Sequence, residues 1–314
     1  MLGLIRVFKF KMRTKILFST LLLTHFAGFS QQDSQYTQYM YNTININPAY
    51  AGSRGVMSVF GLHRSQWIGM DGAPETNALS INTPISQTKI GLGLSFINDR
   101  IGPTDENAIS LDLSYSIKTS ENYKLSFGIK GTGNFFNLDS GKLKPAFAAD
   151  PKLQNLKNNF TPNFGAGIYL HSNKFYAGIS VPNFFEKVRY NDNSVSVNKE
   201  KMNFYFLSGY VFDINSDIKF KPAFLIKTVE GSPLQADFSV NFLIYEKFTA
   251  GIAYRWDASV SALAGFQITD GLFIGYGYDR ETTKLQNFNS GSHEIFARFE
   301  LFSKYDRITS PRFF

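Results

Sequence analysis

The sequence predicts an all-β protein, a transmembrane antiparallel β-barrel of about 14 strands with an N-terminal periplasmic arm or plug. Three observations carry this expectation. The chain opens with an export signal. From Val56 onward, segment after segment alternates apolar and polar residues with period two. No later stretch reaches the roughly 18 consecutive apolar residues of a membrane helix, although aromatic residues make up 16% of the chain. A chain in lipid without apolar helices must close its sheet, because every backbone donor and acceptor has to be paired internally.

The signal comes first. Arg6, Lys9, Lys11, Arg13 and Lys15 give a basic start, with no acidic residue before Asp33. An apolar run from Ile16 to Phe26 follows, then the small residues Ala27, Gly28 and Ser30. Basic, apolar and small in that order read as a secretory signal peptide over residues 1–30, with Met12 as an alternative start. A membrane anchor would need about 20 apolar residues. This run is shorter and is broken by Ser19, Thr20, Thr24 and His25.

Removing the signal changes the charge argument. The formal net charge is +7, but five positive charges lie in the signal and leave +2. No basic stripe remains to recruit nucleic acid. The chain has no cysteine, which excludes disulfides and thiolate metal sites. A closed sheet is then the device left to stabilise a large exported chain.

Residues 31–54 lack the alternation. They are polar and aromatic with a turn at Asn47-Pro48, and their many aromatic and methionine side chains favour an ordered arm or plug over a floppy leader. The barrel is expected over 55–304 and a tail over 305–314.

Within the barrel region, Ile109, Leu111, Leu113, Tyr115 and Ile117 interleave with Ser110, Asp112, Ser114 and Ser116. Tyr123, Leu125, Phe127 and Ile129 alternate with Lys124, Ser126, Gly128 and Lys130. Leu234, Ala236, Phe238, Val240 and Phe242 do so with Gln235, Asp237, Ser239 and Asn241. In order, the segments fall near 55–63, 75–83, 89–98, 107–118, 122–137, 162–172, 173–182, 201–214, 217–229, 233–245, 247–257, 259–269, 271–281 and 292–303. Many run to about 10 residues, the length of a tilted membrane strand.

Connections after the even segments are short: 84–88, 119–121, 172–173, 215–216, 246 and 270. Several after odd segments are long: 64–74, 99–106, 138–161, 183–200 and 282–291. Outer-membrane barrels pair short periplasmic turns with long external loops, and an even strand count places both termini on the periplasmic side. The first and eighth segments are apolar on both faces, which simple alternation does not explain.

A half-buried soluble sheet also alternates. Against it stand the signal, the loop asymmetry and a polar face often made of small residues: Gly91, Gly93 and Ser95; Gly165 and Gly167; Gly251 and Ala253; Gly275 and Gly277. Small residues there leave room inside, or let a plug approach the wall.

No catalytic motif stands out. The chain lacks His-Glu-x-x-His, a Gly-x-Ser-x-Gly elbow and a phosphate-cradling glycine loop. His63, His171 and His293 are far apart in sequence, and a Ser/His/Asp set around His63 or His293 is the remaining hydrolase alternative. No cofactor or metal site is expected. Asp112, Asp237, Arg255, Asp279, Glu294, Arg298 and Glu300 fall on the polar, lumen-facing side, with ion pairs expected across segments 11 to 14. Trp67 and Met70 suit either an apolar anchor in the first long loop or, for Trp67, an interfacial aromatic that fixes barrel depth. The C-terminal Phe313-Phe314, or the last strand with Phe296, Phe299 and Phe302, is the candidate assembly signal.

Six segments form a wider pattern: QYTQYMYNTININPAYAG at 35–52, QWIGMDGAPET at 66–76, YRWD at 254–257, GYGYD at 275–279, GSHEI at 291–295 and the closing SPRFF. Together they resemble the PorP/SprF family of type IX secretion membrane proteins of Bacteroidota. The resemblance implies a non-enzymatic outer-membrane component of the type IX secretion and gliding machinery. Its implied partners are a secreted, adhesin-like surface protein recognised through its C-terminal domain, periplasmic ring and peptidoglycan-binding components, and outer-membrane lipid. Asn47, Pro48, Tyr50, Gly52, Trp67 and Met70 are the candidate partner-binding residues. The alternative is an outer-membrane channel or transporter for a small or hydrophobic solute.

Overall fold

The structure is a computed structural model that describes residues 39–142, 156–185, 187–188 and 199–301. The expected signal (1–30), residues 31–38 of the arm, the tail with Phe313-Phe314, and Phe302 lie outside the described residues.

Fourteen strands form the wall: β1 Met57–Ser65, β2 Glu75–Pro84, β3 Ile90–Ile101, β4 Thr104–Lys118, β5 Lys124–Leu138, β6 Leu156–His171, β7 Phe175–Val181, β8 Asn203–Tyr210, β9 Ile218–Val229, β10 Gln235–Ile244, β11 Phe248–Arg255, β12 Ser259–Gln267, β13 Leu272–Glu281 and β14 Ser292–Leu301. Each pairs antiparallel with its sequence neighbours, and β1 pairs with β14 from Met57↔Leu301 to Ser65↔His293. The sheet is therefore a closed 14-stranded barrel, as the alternation predicts.

Between β8 and β9 the ladder lapses, running Gly209↔Ala223 and then Phe212↔Phe220 in unchanged register. Pro222, which has no N–H to give, lies opposite the interruption. A separate two-residue ladder joins Lys187–Val188 to Lys199–Glu200.

The two faces are inverted relative to a water-soluble sheet. On β4, Asp112 is 2% exposed whereas its neighbour Leu111 is 65% exposed. On β5, Lys130 is buried and Ile129 is 61% exposed. Apolar side chains stand outward on every wall strand, far more than a soluble surface carries. That band suits hydrocarbon.

Three boundaries correct the expectations. Residues 99–106 are not a long loop: β3 and β4 run through them and turn at Gly102-Pro103, with Gly102 at φ +55. Their outward residues are polar because the strands rise past the apolar band. There Asn98 Nδ2 donates to Asp105 Oδ1 (2.9 Å) and Asn107 Oδ1 (3.0 Å), and Arg100 Nε to Asp105 Oδ2 (2.9 Å). β6 begins at Leu156, not near 162. β1 runs to Ser65, so Arg64 is a wall residue.

Residues 39–54 lie inside the barrel as an inner segment with two 3-10 turns, Thr43–Asn45 and Pro48–Tyr50. Tyr39, Tyr41, Ile44, Ala49 and Tyr50 join one core with Phe60, Leu62, Tyr205, Leu207, Phe273 and Phe296. The doubled apolar faces of β1 and β8 now have a cause. Their inward residues pack on this segment, not on water.

Candidate functional site

The inner segment is seated on wall positions that have no side chain. A Cβ added at Gly128 would overlap the backbone of Pro48 and Ala49, and one at Gly91 the carbonyl of Ala51. At Gly93 it would meet the Ile44 methyl, and at Gly178 the Asn47 amide at 2.7 Å. Gly91 and Gly128, on β3 and β5, let backbone lie directly on the wall, whereas Gly93 and Gly178, on β3 and β7, make room for the Ile44 and Asn47 side chains.

Polar wall groups then satisfy the segment's carbonyls. Ser114 Oγ donates to Ala51 O and Ser180 Oγ to Ile46 O, each at 2.7 Å, and Lys130 Nζ donates to Ile44 O at 3.1 Å. Asn47 works twice. Its Oδ1 accepts from Ala49 N (3.0 Å), capping the second turn, and its Nδ2 donates to Ile168 O of β6 (3.1 Å). Buried polar groups are expected to be paired in this way.

The seven charged residues read from the sequence all point inward, with partners that differ from those expected. Asp237 pairs with Arg255 (2.7 Å) between β10 and β11. Asp279 and Glu294 share Arg64 of β1, at 2.6 and 3.0 Å, and all three side chains are at most 3% exposed. Asp112 takes Lys130 of β5 (3.1 Å). Glu300 pairs with Arg54 of the inner segment and lies 3.7 Å from Arg298, whose guanidinium stands 4.9 Å from the Phe273 ring centroid. Ion pairs therefore reach beyond β11–β14. They tie β1 to β13 and β14, and the inner segment to β14.

Sequence alternation does not identify Arg64 or Arg54: Arg64 follows the alternating segment that ends at 63, and Arg54 lies in the stretch without alternation. At the other, short-turn end, exposed Lys174 pairs with Asp213, whose hydrogen bond and charge raise the ammonium pKa above its ordinary value.

Among the candidate partner-binding residues, Asn47, Pro48 and Tyr50 are buried against the wall, and Gly52 sits at φ +71 over Gly91 and Pro84. Trp67 and Met70 lie together at the long-loop mouth, both half-buried. Trp67 takes a left-handed φ of 47°, donates from Nε1 to Glu281 Oε1 (3.0 Å), and places Ile68 in hydrogen bonds with Ser290 and Gly291. The first long loop is thereby clasped to the last. Among the described residues no His, Asp and Glu cluster has the makings of a metal centre.

No curated protein matches the chain. Solved structures similar to it include the Acinetobacter baumannii outer membrane protein Omp33, at 8% identity and TM-score 0.48, covering 78% of this chain and 98% of that one. The CymD monoaromatic hydrocarbon channel is similar at 11% identity and TM-score 0.49, covering 88% and 96%. A Pseudomonas aeruginosa FadL homologue is similar at 14% identity and TM-score 0.42, covering 84% and 94%. Residues 28–299 match the family described as "Type IX secretion system membrane protein PorP/SprF". With that match over most of its length, this outer-membrane barrel belongs to the PorP/SprF family.

Proposed function

We propose that this barrel binds a secreted, adhesin-like surface protein through that protein's C-terminal domain and helps to export or anchor it. The observation that carries the reading is the filled interior. Residues 39–54 occupy the space a diffusion channel would leave open, and they are held by hydrogen bonds from four wall strands. A barrel closed in this way is a scaffold whose useful surfaces are its two ends.

The long-loop end supplies one surface. There Trp67 and Met70 sit half-buried on a loop braced by Ile68, Ser290 and Gly291, and an aromatic anchor on a rigid base suits partner binding. The short-turn end supplies the other. Both ends of the described wall, Met57 and Leu301, meet there. Short turns face the periplasm in outer-membrane barrels, so this end would meet the periplasmic ring and a peptidoglycan-binding subunit. With no phosphate-cradling motif, the chain binds or anchors and leaves the driving force to its partners.

The test is an affinity pull-down of tagged protein from mild-detergent outer membranes. A large secreted protein recovered with other type IX components supports the proposal, and Trp67→Ala should weaken its recovery. The barrel recovered alone, with a small solute bound and conducting that solute in a planar bilayer, would replace the proposal with the channel reading.

A further inference from the structure

Just above the apolar band, on the outward face of β1–β4, runs a chain of hydrogen bonds that ends on a hydroxyl. Asp105 of β4 accepts from Asn98 Nδ2 of β3 at 2.9 Å, which turns Asn98 Oδ1 toward β2. That oxygen accepts from Asn77 Nδ2 at 3.4 Å, so Asn77 Oδ1 faces β1. Asn77 Oδ1 is 2.8 Å from His63 Nδ1, and His63 Nε2 is 3.1 Å from Ser65 Oγ. A carboxylate can only accept, so every link has a fixed sense. Nδ1 of His63 carries its proton, and Nε2 is left to take the proton of Ser65.

We propose that Ser65, His63 and Asn77 form an acyl-ester hydrolase site that faces the boundary of the bilayer, with membrane-lipid esters as substrate. Nucleophile, base and orienting group stand in the order and at the spacing that serine hydrolysis needs, a constellation recognised by geometry and not by fold. This activity is independent of the secretion role.

The surroundings fit that chemistry. Glu75 Oε1 lies 3.8 Å from His63 Nε2, where it would stabilise the imidazolium formed during attack. His293 is the cross-strand partner of Ser65, and its Nδ1 is 2.5 Å from the Tyr276 hydroxyl. In the tautomer that accepts from Tyr276, Nε2 of His293 carries a proton, one cross-strand step from Ser65. In the proposed site it is assigned as the donor to the developing oxyanion.

The depth fits as well. The next outward residues down the wall, Leu79, Phe96 and Ile109, are exposed and apolar. Further down, an apolar groove of about 730 Å³ lined by Ile81, Leu94, Leu111, Ile129 and Phe164 is open to the acyl region. Pockets of that size hold drug-sized ligands. An ester carbonyl at the headgroup boundary is therefore level with Ser65 while its chain lies along the wall.

In the reaction, Ser65 Oγ bonds to the ester carbonyl carbon as its proton passes to His63 Nε2. The carbon–alkoxy bond then breaks, and the alcohol leaves with that proton. Water, deprotonated by His63, attacks the acyl-serine, and the fatty acid departs as Ser65 is restored.

The experiment uses the full exported chain in mixed micelles of phosphatidylethanolamine, from a host lacking its own outer-membrane phospholipase. Fatty-acid release is measured, and labelling of Ser65 by a fluorophosphonate is mapped by mass spectrometry. Wild type should release fatty acid and carry the label on Ser65. S65A should do neither, and H63A should lose on the order of 10²–10⁴-fold in rate. N77A should be slowed and N77D should recover with an altered pH profile, which a merely structural Asn77 would not produce. S65A removes one outward oxygen, and heat-modifiable electrophoretic mobility shows whether its barrel has closed. Equal release by wild type and a closed S65A, or no label at Ser65, overturns the proposal.

Discussion

The Asn47 side chain occupies the place where Gly167 would carry a Cβ: a methyl added there would collide with Asn47 Oδ1. The same amide lies within 2.7 Å of the corresponding position on Gly178 of the next strand. One buried asparagine is thus gripped by two glycines on β6 and β7, and the inner segment is held by absent side chains as much as by present ones.

Gly128→Val should therefore unseat the inner segment while leaving the wall paired. The added side chain has only the backbone of Pro48 and Ala49 to displace, and overpacking of this kind costs about 1–3 kcal/mol. Amide hydrogen exchange should rise sharply across residues 39–54, with β10–β13 unchanged. Unaltered protection at Ala49 would show that the segment is held elsewhere.

Arg64→Met removes the cation shared by Asp279 and Glu294. Breaking a buried ion pair from one side costs roughly 3–5 kcal/mol. Urea unfolding of the folded barrel in lipid should show a loss in that range, and Asp279→Asn in the Arg64→Met background should recover part of it. A loss well under 1 kcal/mol, about the worth of an exposed pair, would mean that the triad is hydrated in the membrane-bound barrel.

Depth in the bilayer can be read by paired substitutions on one strand. Leu111→Lys, in the apolar band of β4, should cost roughly 2–4 kcal/mol, and Asn107→Lys, in the polar belt above, about 0–1 kcal/mol. Equal costs would place the belt inside the hydrocarbon and move the membrane boundary upward.

Trp67→Ala should leave barrel closure intact, because the indole hydrogen bond it removes runs from the first long loop to Glu281 at the end of β13 and is no part of a strand ladder. Retention of the secreted client at the cell surface should fall, as measured by surface immunolabelling. Full retention would assign Trp67 to setting barrel depth.

Nearly all of the wall was legible because outward and inward positions differ so sharply in polarity. Leu111 and Asp112 are adjacent in sequence and opposite in environment. Departures from simple alternation have two physical sources. Where β3 and β4 rise above the apolar band, their outward residues become Asn98, Arg100, Asp105 and Asn107, and a strand with two polar faces looks like a loop. Where the inner segment touches the wall, inward residues become Phe60, Leu62, Tyr205 and Leu207, and a strand with two apolar faces loses its alternation. The second exception carried information: an apolar inward patch implies an apolar occupant. The charged positions were readable singly, but their pairing was not. Arg64 reaches Asp279 and Glu294 across the seam where the first strand meets the last, a proximity that no sequence spacing expresses.

The glycine seats have a consequence for the order in which the molecule is made. They lie on β3, β5, β6 and β7, all on one side of the wall, whereas the seam joins β1 to β14. A growing sheet can thus receive residues 39–54 against its open concave side before the ends meet. The chain leaves the inner segment directly into β1, one edge of that seam, and Arg54 and Arg64 both find acceptors on β14, the other edge. Closure then clasps the inner segment and the first wall strand to the last wall strand, so that a barrel shut without its lodger would be missing a fastening at its own join.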